Sequence, residues 1–177
     1  MAKTKWVVDA AHSSIDFSVK HMMVAKTKGT FQKFDAAVEA DPADLTTANI
    51  EFTIDVSSID TRNGDRDAHL RSADFFDVEK NPSLTFKSTK IVKTGADEYD
   101  VTGDLTMHGV TRSETFAITF EGQGTNPWGA EVVGFSGKGT INRSDYNLTY
   151  NAALETGGVL IGDKITVSLE IEASKEA

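Results

Sequence analysis

The chain has 177 residues, 39% hydrophobic and 25% charged, which fits one soluble globular domain whose core needs no covalent staple. It has no cysteine, which excludes disulfides, thiolate metal sites, iron–sulfur clusters and thiol catalysis. Eighteen Lys and Arg against 27 Asp and Glu give a formal net charge of −9, which argues against nucleic-acid binding through a cationic surface and disfavours anionic membranes.

The start, Met1-Ala2-Lys3-Thr4-Lys5-Trp6, carries two lysines, but no apolar stretch of signal length follows. No run approaches the ~18 apolar residues of a membrane span, so no membrane insertion is expected. The expected location is the cytoplasm, or outside it if a leader has been trimmed away.

Period-two alternation then runs through the chain. After a short strand at residues 6–8, Ile15, Phe17, Val19 and His21 point one way and Asp16, Ser18 and Lys20 the other. Ile50, Phe52, Ile54 and Val56 repeat the pattern, as do Leu84 and Phe86, then Tyr99, Val101, Gly103 and Leu105. Phe116, Ile118 and Phe120 follow, then Val133, Phe135, Gly137, Gly139 and Ile141, and last Ile165, Val167, Leu169 and Ile171. Such alternation predicts half-buried antiparallel strands, about eight of them besides the short first one. Turn signals separate them at Asp41-Pro42, Asn81-Pro82, residues 94–97, residues 122–129 and Gly157-Gly158. Evenly spaced strands in one domain over residues 1–177 predict an all-β sandwich or closed barrel. Residues 63–72 lack β-branched side chains and predict a short helix; the polar stretch 144–156 predicts a further helical turn.

Gly137 and Gly139 fall at inward parity on one strand, and Gly103 does so on another. Strand glycines mark either barrel curvature or close approach of something to bare backbone, here an apolar guest. The candidate cavity lining, by parity, is Phe17, Val19, Phe52, Ile54, Phe86, Val101, Phe116, Ile118, Phe135, Gly137, Gly139, Val167 and Leu169. Met22 and Met23 follow the first long strand and offer an adaptable apolar rim.

The densest polar cluster runs from Ser58 to Arg71. On a helix, Arg62, Asp65, Arg66 and His69 share a face. Arg62, Arg66 and His69 are the candidate head-group residues, because guanidinium forks match phosphate oxygens. The alternative is that Asp60, Asp65, Asp67 and Asp74 pair the arginines and fix the helix to the barrel. The four histidines, His12, His21, His69 and His108, form no His-x-His or HExxH pair, so neither a metal site nor a cofactor is expected. Asp9, His12 and Ser13 read as turn capping rather than a catalytic trio. No Gly-x-Ser-x-Gly elbow or Walker loop is present, and no catalytic residue is assigned.

These residues resemble the YceI family of bacterial lipocalin-like, polyisoprenoid-binding proteins. The resemblance starts with Asp9-x-x-His12-Ser13-x-Ile15-x-Phe17-x-Val19-x-His21. Its most specific block is Ser58-Ile59-Asp60-Thr61, Arg66-Asp67-x-His69-Leu70, Asp74-Phe75-Phe76-Asp77-Val78 and Asn81-Pro82. Gly103-Asp104-Leu105-Thr106 with Gly109-Val110-Thr111 follows, then Ile141-Asn142-Arg143-Ser144-Asp145-Tyr146, and Gly157-Gly158-Val159-Leu160-Ile161-Gly162-Asp163. The resemblance spans nearly the whole chain. It implies an eight-stranded antiparallel lipocalin-like barrel with a short added helix and a long apolar pore. It also implies an amphiphilic isoprenoid guest, a polyprenyl phosphate or an isoprenoid quinone. Tyr146-Asn147 departs from the aromatic-Gly pair the family often has, which sets the 144–156 loop apart.

The expected function is non-enzymatic carriage or sequestration of such a lipid. The competing readings are an enzyme using His21, His69 or His108 on a small amphiphile in the same cavity, and a packed, ligand-free scaffold linked to stress. An added edge or exposed loop leaves a homodimer open.

Overall fold

Alternating apolar residues need a partner strand on each side and an interior to face, and the computed structural model meets both needs with a closed barrel. It describes residues 3–151 and 160–176. Among these residues, eleven strand segments build the wall: β1 (Thr4–Val8), β2 (Ser14–His21), β3 (Ala25–Phe31), β4 (Phe34–Asp41), β5 (Asp44–Asp55), β6 (Ile59–Asp60), β7 (Ser83–Lys93), β8 (Glu98–Met107), β9 (Val110–Thr125), β10 (Glu131–Asn142) and β11 (Ile161–Lys175). All pair antiparallel. Eight close the ring, in the order β1, β4, β5, β7, β8, β9, β10, β11 and back to β1.

Two of the wall's strands are broken in the middle. β1 and β2 lie end to end along β11: Val8 faces Ala173, and Ile15 faces Leu169. A 3-10 turn, Ala10–His12, joins them, capped by the Asp9 carboxylate, which accepts from Ala11 N. β3 and β4 follow the same division, β3 beside β2 and β4 beside β1. Alternation in the sequence does not single out β3 or β4. Their inward residues include Ala36 and Ala40, which give a weak periodic signal, although burial does alternate along β4.

Directly opposed residues on antiparallel strands share a face, so the inward rows meet in register. Phe52 faces Phe86, Val101 faces Phe116, and Phe17 faces Val167. β10 carries the glycines, and their role differs from the expectation. A Cβ on Gly139 would collide with the Phe116 ring, and one on Gly137 would come within 2.5 Å of Ile118 Cδ1. Gly103 does the same for Phe86, 2.5 Å from its Cζ. These glycines are seats for the side chains of the adjacent strand. They do not present bare backbone to the interior.

Between β6 and β7 the chain leaves the wall to form α1 (Gly64–Arg71), as residues 63–72 predict. Asn63 is its N-cap, accepting from Arg66 N at 3.0 Å, and Ser72 its C-cap. The helix is polar, so packing alone does not hold it. The buried Asp67 carboxylate accepts from Thr61 N at 2.9 Å and from the Thr61 hydroxyl, tying the helix to the strand before it. Leu70, Phe76 and Val78 then pack on the main core.

After β10, a 3-10 turn (Arg143–Tyr146) ends at Asn147, whose φ of 58° and ψ of 24° are left-handed. Glycine adopts that conformation freely and asparagine tolerates it, so the departure from an aromatic-Gly pair keeps the turn. The Gly157-Gly158 turn signal and the rest of residues 152–159 lie outside the described residues.

Candidate functional site

The barrel is not filled. A cavity of about 490 Å³ runs inside it, walled almost wholly by apolar side chains, within the usual ligand-site range of about 300–1,000 Å³. Phe17, Val19, Phe52, Ile54, Phe86, Val101, Phe116, Ile118, Phe135, Val167 and Leu169 all line it. Gly137 and Gly139 do not, because Ile118 and Phe116 cover them. The void comes from the barrel's girth, not from missing side chains.

The two ends of the cavity differ. One is a floor: Trp6, Ala40, Leu45, Val133 and Ala173 are buried together, with Trp6 Nε1 donating to Ala40 O at 3.3 Å. The other end is a mouth lined by Lys20, His21, Arg66, His69, Tyr150, Leu160 and Ile161, of which Lys20, His21, Arg66 and Tyr150 are exposed.

The candidate head-group residues part company at this mouth. Arg66 and His69 reach the cavity. Arg62 does not: it precedes α1, with φ 64°, so the helical face never extends to it. Among the described residues, no carboxylate lies within ion-pair distance of the arginines, where the alternative reading expects Asp60, Asp65, Asp67 and Asp74. Arg66 Nε donates to the Thr61 hydroxyl at 2.8 Å and its Nη2 to Thr61 O at 2.7 Å, while Arg71 Nε donates to Ser57 O. His69 Nε2 lies 2.9 Å from Asp74 Oδ2, and its ring stands edge-on to Phe75 and Tyr150, with centroids 5.0 and 4.9 Å away.

Arg143 is the site residue that sequence reasoning misses. It is 6% exposed and lines the cavity. Its Nε donates to Gly162 O at 3.0 Å, and its Nη1 donates to Leu148 O at 2.8 Å and Tyr150 O at 3.3 Å. Among the described residues, no carboxylate lies within ion-pair distance of it. Burial draws its pKa down and Asp163 opposes this, but a guanidinium stays cationic. The signal is present in the chain: the inward parity of Phe135, Gly137, Gly139 and Ile141, carried one step further, lands on Arg143.

Asp9, His12 and Glu172 also gather, with ligand atoms within 4.8 Å of one another, on the outer wall away from the cavity. His12 Nδ1 is 2.8 Å from Asp9 Oδ2 and 3.7 Å from Glu172 Oε2. Asp9 caps the turn and Ser13 Oγ accepts from Glu172 N at 3.0 Å, so the group fastens the break between β1 and β2 to β11.

Among the described residues, no helix is long and apolar enough to cross a membrane. The chain is 47% identical over 174 residues to a UPF0312 protein of Staphylococcus epidermidis, covering 98% of this chain and 96% of that one. It superposes on Burkholderia cenocepacia BcnA with a TM-score of 0.82 and 30% identity, over 93% of this chain and 98% of that one. A structure described as a polyisoprenoid binding domain from Saccharophagus degradans shares the fold at TM-score 0.69 and 15% identity, over 98% and 99% of the chains. The model of the YceI-like domain matches residues 6–173, and the chain belongs to that family.

Proposed function

We propose that the barrel binds an amphiphilic isoprenoid lipid and carries or sequesters it, with the tail in the cavity and the head at the mouth. The observation that carries this reading is the polarity of the cavity: an apolar interior closed at Trp6, with Arg66 and Arg143 at the other end. A tail placed inside gains about 0.8 kcal/mol for each methylene removed from water, offset in part by the ordering of a flexible chain. The two guanidiniums favour an anionic head, a polyprenyl phosphate, over a neutral quinone. The polyisoprenoid-binding neighbour supports a lipid of this class through its fold. No chemical step is proposed. His69 is engaged with Asp74, and His108 Nδ1 with Tyr146 O at 2.9 Å.

Native mass spectrometry of the purified protein, followed by organic extraction, tests the reading. An excess mass that extracts as a prenyl lipid is expected. Failure of delipidated protein to take up any prenyl phosphate or quinone would overturn it.

A further inference from the structure

The turn between β2 and β3 is an exposed apolar tip on the rim of the mouth. Met22, Met23 and Val24 are 47%, 51% and 86% exposed, three in succession. Met22 N donates to Leu160 O at 2.7 Å, which seats the turn beside a residue of the cavity lining. Val24 N closes the turn on His21 O at 3.2 Å. Both methionines inside it take left-handed backbone, φ 53° and 64°. A hairpin turn of that kind favours Asn-Gly. Methionine has a strained backbone there, and about half of each methionine is left open to solvent.

Below the tip the hairpin is cationic. Residues 18–30 hold Lys20, Lys26 and Lys28 and no Asp or Glu, in a chain whose net charge is −9. Lys20 stands directly opposite Lys26, an unfavourable cross-strand pairing of like charges. No carboxylate lies within ion-pair distance of the three lysines among the described residues. Strained exposed methionines and opposed unpaired lysines both cost the isolated protein stability. Both become favourable against one kind of surface. Apolar side chains enter the acyl boundary of a bilayer, and ammonium groups meet its anionic heads.

We infer that the β2–β3 hairpin docks the barrel on an anionic lipid bilayer, with Met22, Met23 and Val24 in the interface and Lys20, Lys26 and Lys28 at the level of the phosphates. Contact through this tip holds the cavity mouth at the membrane, where a lipid guest would enter or leave. The overall negative charge opposes general adsorption, so the contact is local to the hairpin. The inference rests on the outside of the rim and is independent of which guest the cavity takes.

Co-sedimentation of the full chain with vesicles tests it, comparing phosphatidylcholine alone with phosphatidylcholine and phosphatidylglycerol in equal parts. The wild type should partition onto the anionic vesicles about tenfold or more over the neutral ones, and lose that preference as salt is raised. Met22→Asn combined with Met23→Gly suits the turn, so its thermal midpoint should hold or rise while vesicle binding falls about tenfold. Lys26→Gln with Lys28→Gln should remove the anionic preference and leave the fold intact. Equal partition onto both vesicles, or unchanged binding by the first variant, overturns the inference. So does a wild-type dimer in sedimentation that the same variant abolishes, since the tip would then serve a second copy. Lipid uptake measured on the lysine variant, neither of whose residues lines the cavity, should be unchanged in solution; a failure of uptake there bears on the carrier reading, not on docking.

Discussion

The floor and the mouth of the barrel are built from the same strands and do opposite things. β11 starts at Ile161, in the mouth, and reaches Ala173, in the floor, roughly 40 Å of strand at about 3.3 Å per residue. At the floor, buried Trp6 packs with Val133 and Ala173, and its one polar atom is hydrogen-bonded. At the mouth, Arg66 and Tyr150 are exposed, the Arg143 cation donates to carbonyl oxygens alone among the described residues, and Met22 and Met23 are about half exposed. The difference gives the interior a direction. A wall that stabilises at one end and displays unneutralised charge at the other suits a guest with an apolar tail and a polar head.

Changes at the floor should therefore cost stability, and changes at the mouth should cost binding. The largest effect is expected for Trp6→Ala, which empties the floor at about 3–5 kcal/mol and should lower the denaturant midpoint accordingly. A near-neutral result would mean that the floor is not core. Next comes the wall between the ends. Gly139 has no unfavourable φ, so Gly139→Ala should cost about 1–3 kcal/mol through displacement of Phe116 alone. Adding Phe116→Leu should recover much of that loss in the same unfolding measurement. A loss that this second change does not relieve would point to backbone geometry.

At the mouth, Arg66→Ala should weaken a prenyl phosphate about tenfold, the scale of one charge-assisted hydrogen bond, while loss of its two bonds to Thr61 costs about 1–2 kcal/mol of stability, less than at the floor. A neutral prenyl quinone should be little affected when titrated in parallel. Equal losses for both ligands would make Arg66 a structural residue.

The smallest effect belongs to neither end. His12 has a raised pKa, first through its hydrogen bond to Asp9 and then through the charges of Asp9 and Glu172; the same bond lowers Asp9. The raised histidine adds stability that is fully present below its ordinary 6.5 and fades as pH rises through its folded value. The lowered carboxylate adds stability above its ordinary 3.8 that fades as pH falls. Both groups are exposed, so the contribution is slight and best read by NMR. His12 should titrate above 6.5 and return toward it in Asp9→Asn.

Much of this division is legible in the chain. Inward residues such as Phe116, Val101 and Val167 are visible because a strand's period is two whatever its partner, and α1 is visible because residues 63–72 lack β-branched side chains. What alternation lacks is the identity of the neighbour. It shows that Gly139 has no side chain but not that Phe116 fills the gap, which depends on cross-strand register. Arg62 looks like a member of the helical face because spacing alone does not reveal the left-handed residue before the cap. Arg143 sits in the inward row, yet a buried arginine runs against the expectation that such rows are apolar.

The most direct test of the cavity's direction uses Trp6. The chain has two tryptophans, and Trp128 is 87% exposed, so Trp128→Phe leaves Trp6 as a reporter of the floor. Delipidated protein carrying that change would be titrated with a polyprenyl phosphate brominated at its tail end, and separately with one brominated beside the head. A guest bound with its tail at the floor and its head at the mouth should give strong quenching of Trp6 by the tail label and little by the head label, at equal occupancy. Stronger quenching by the head label, or none by either while both ligands bind, would contradict that orientation.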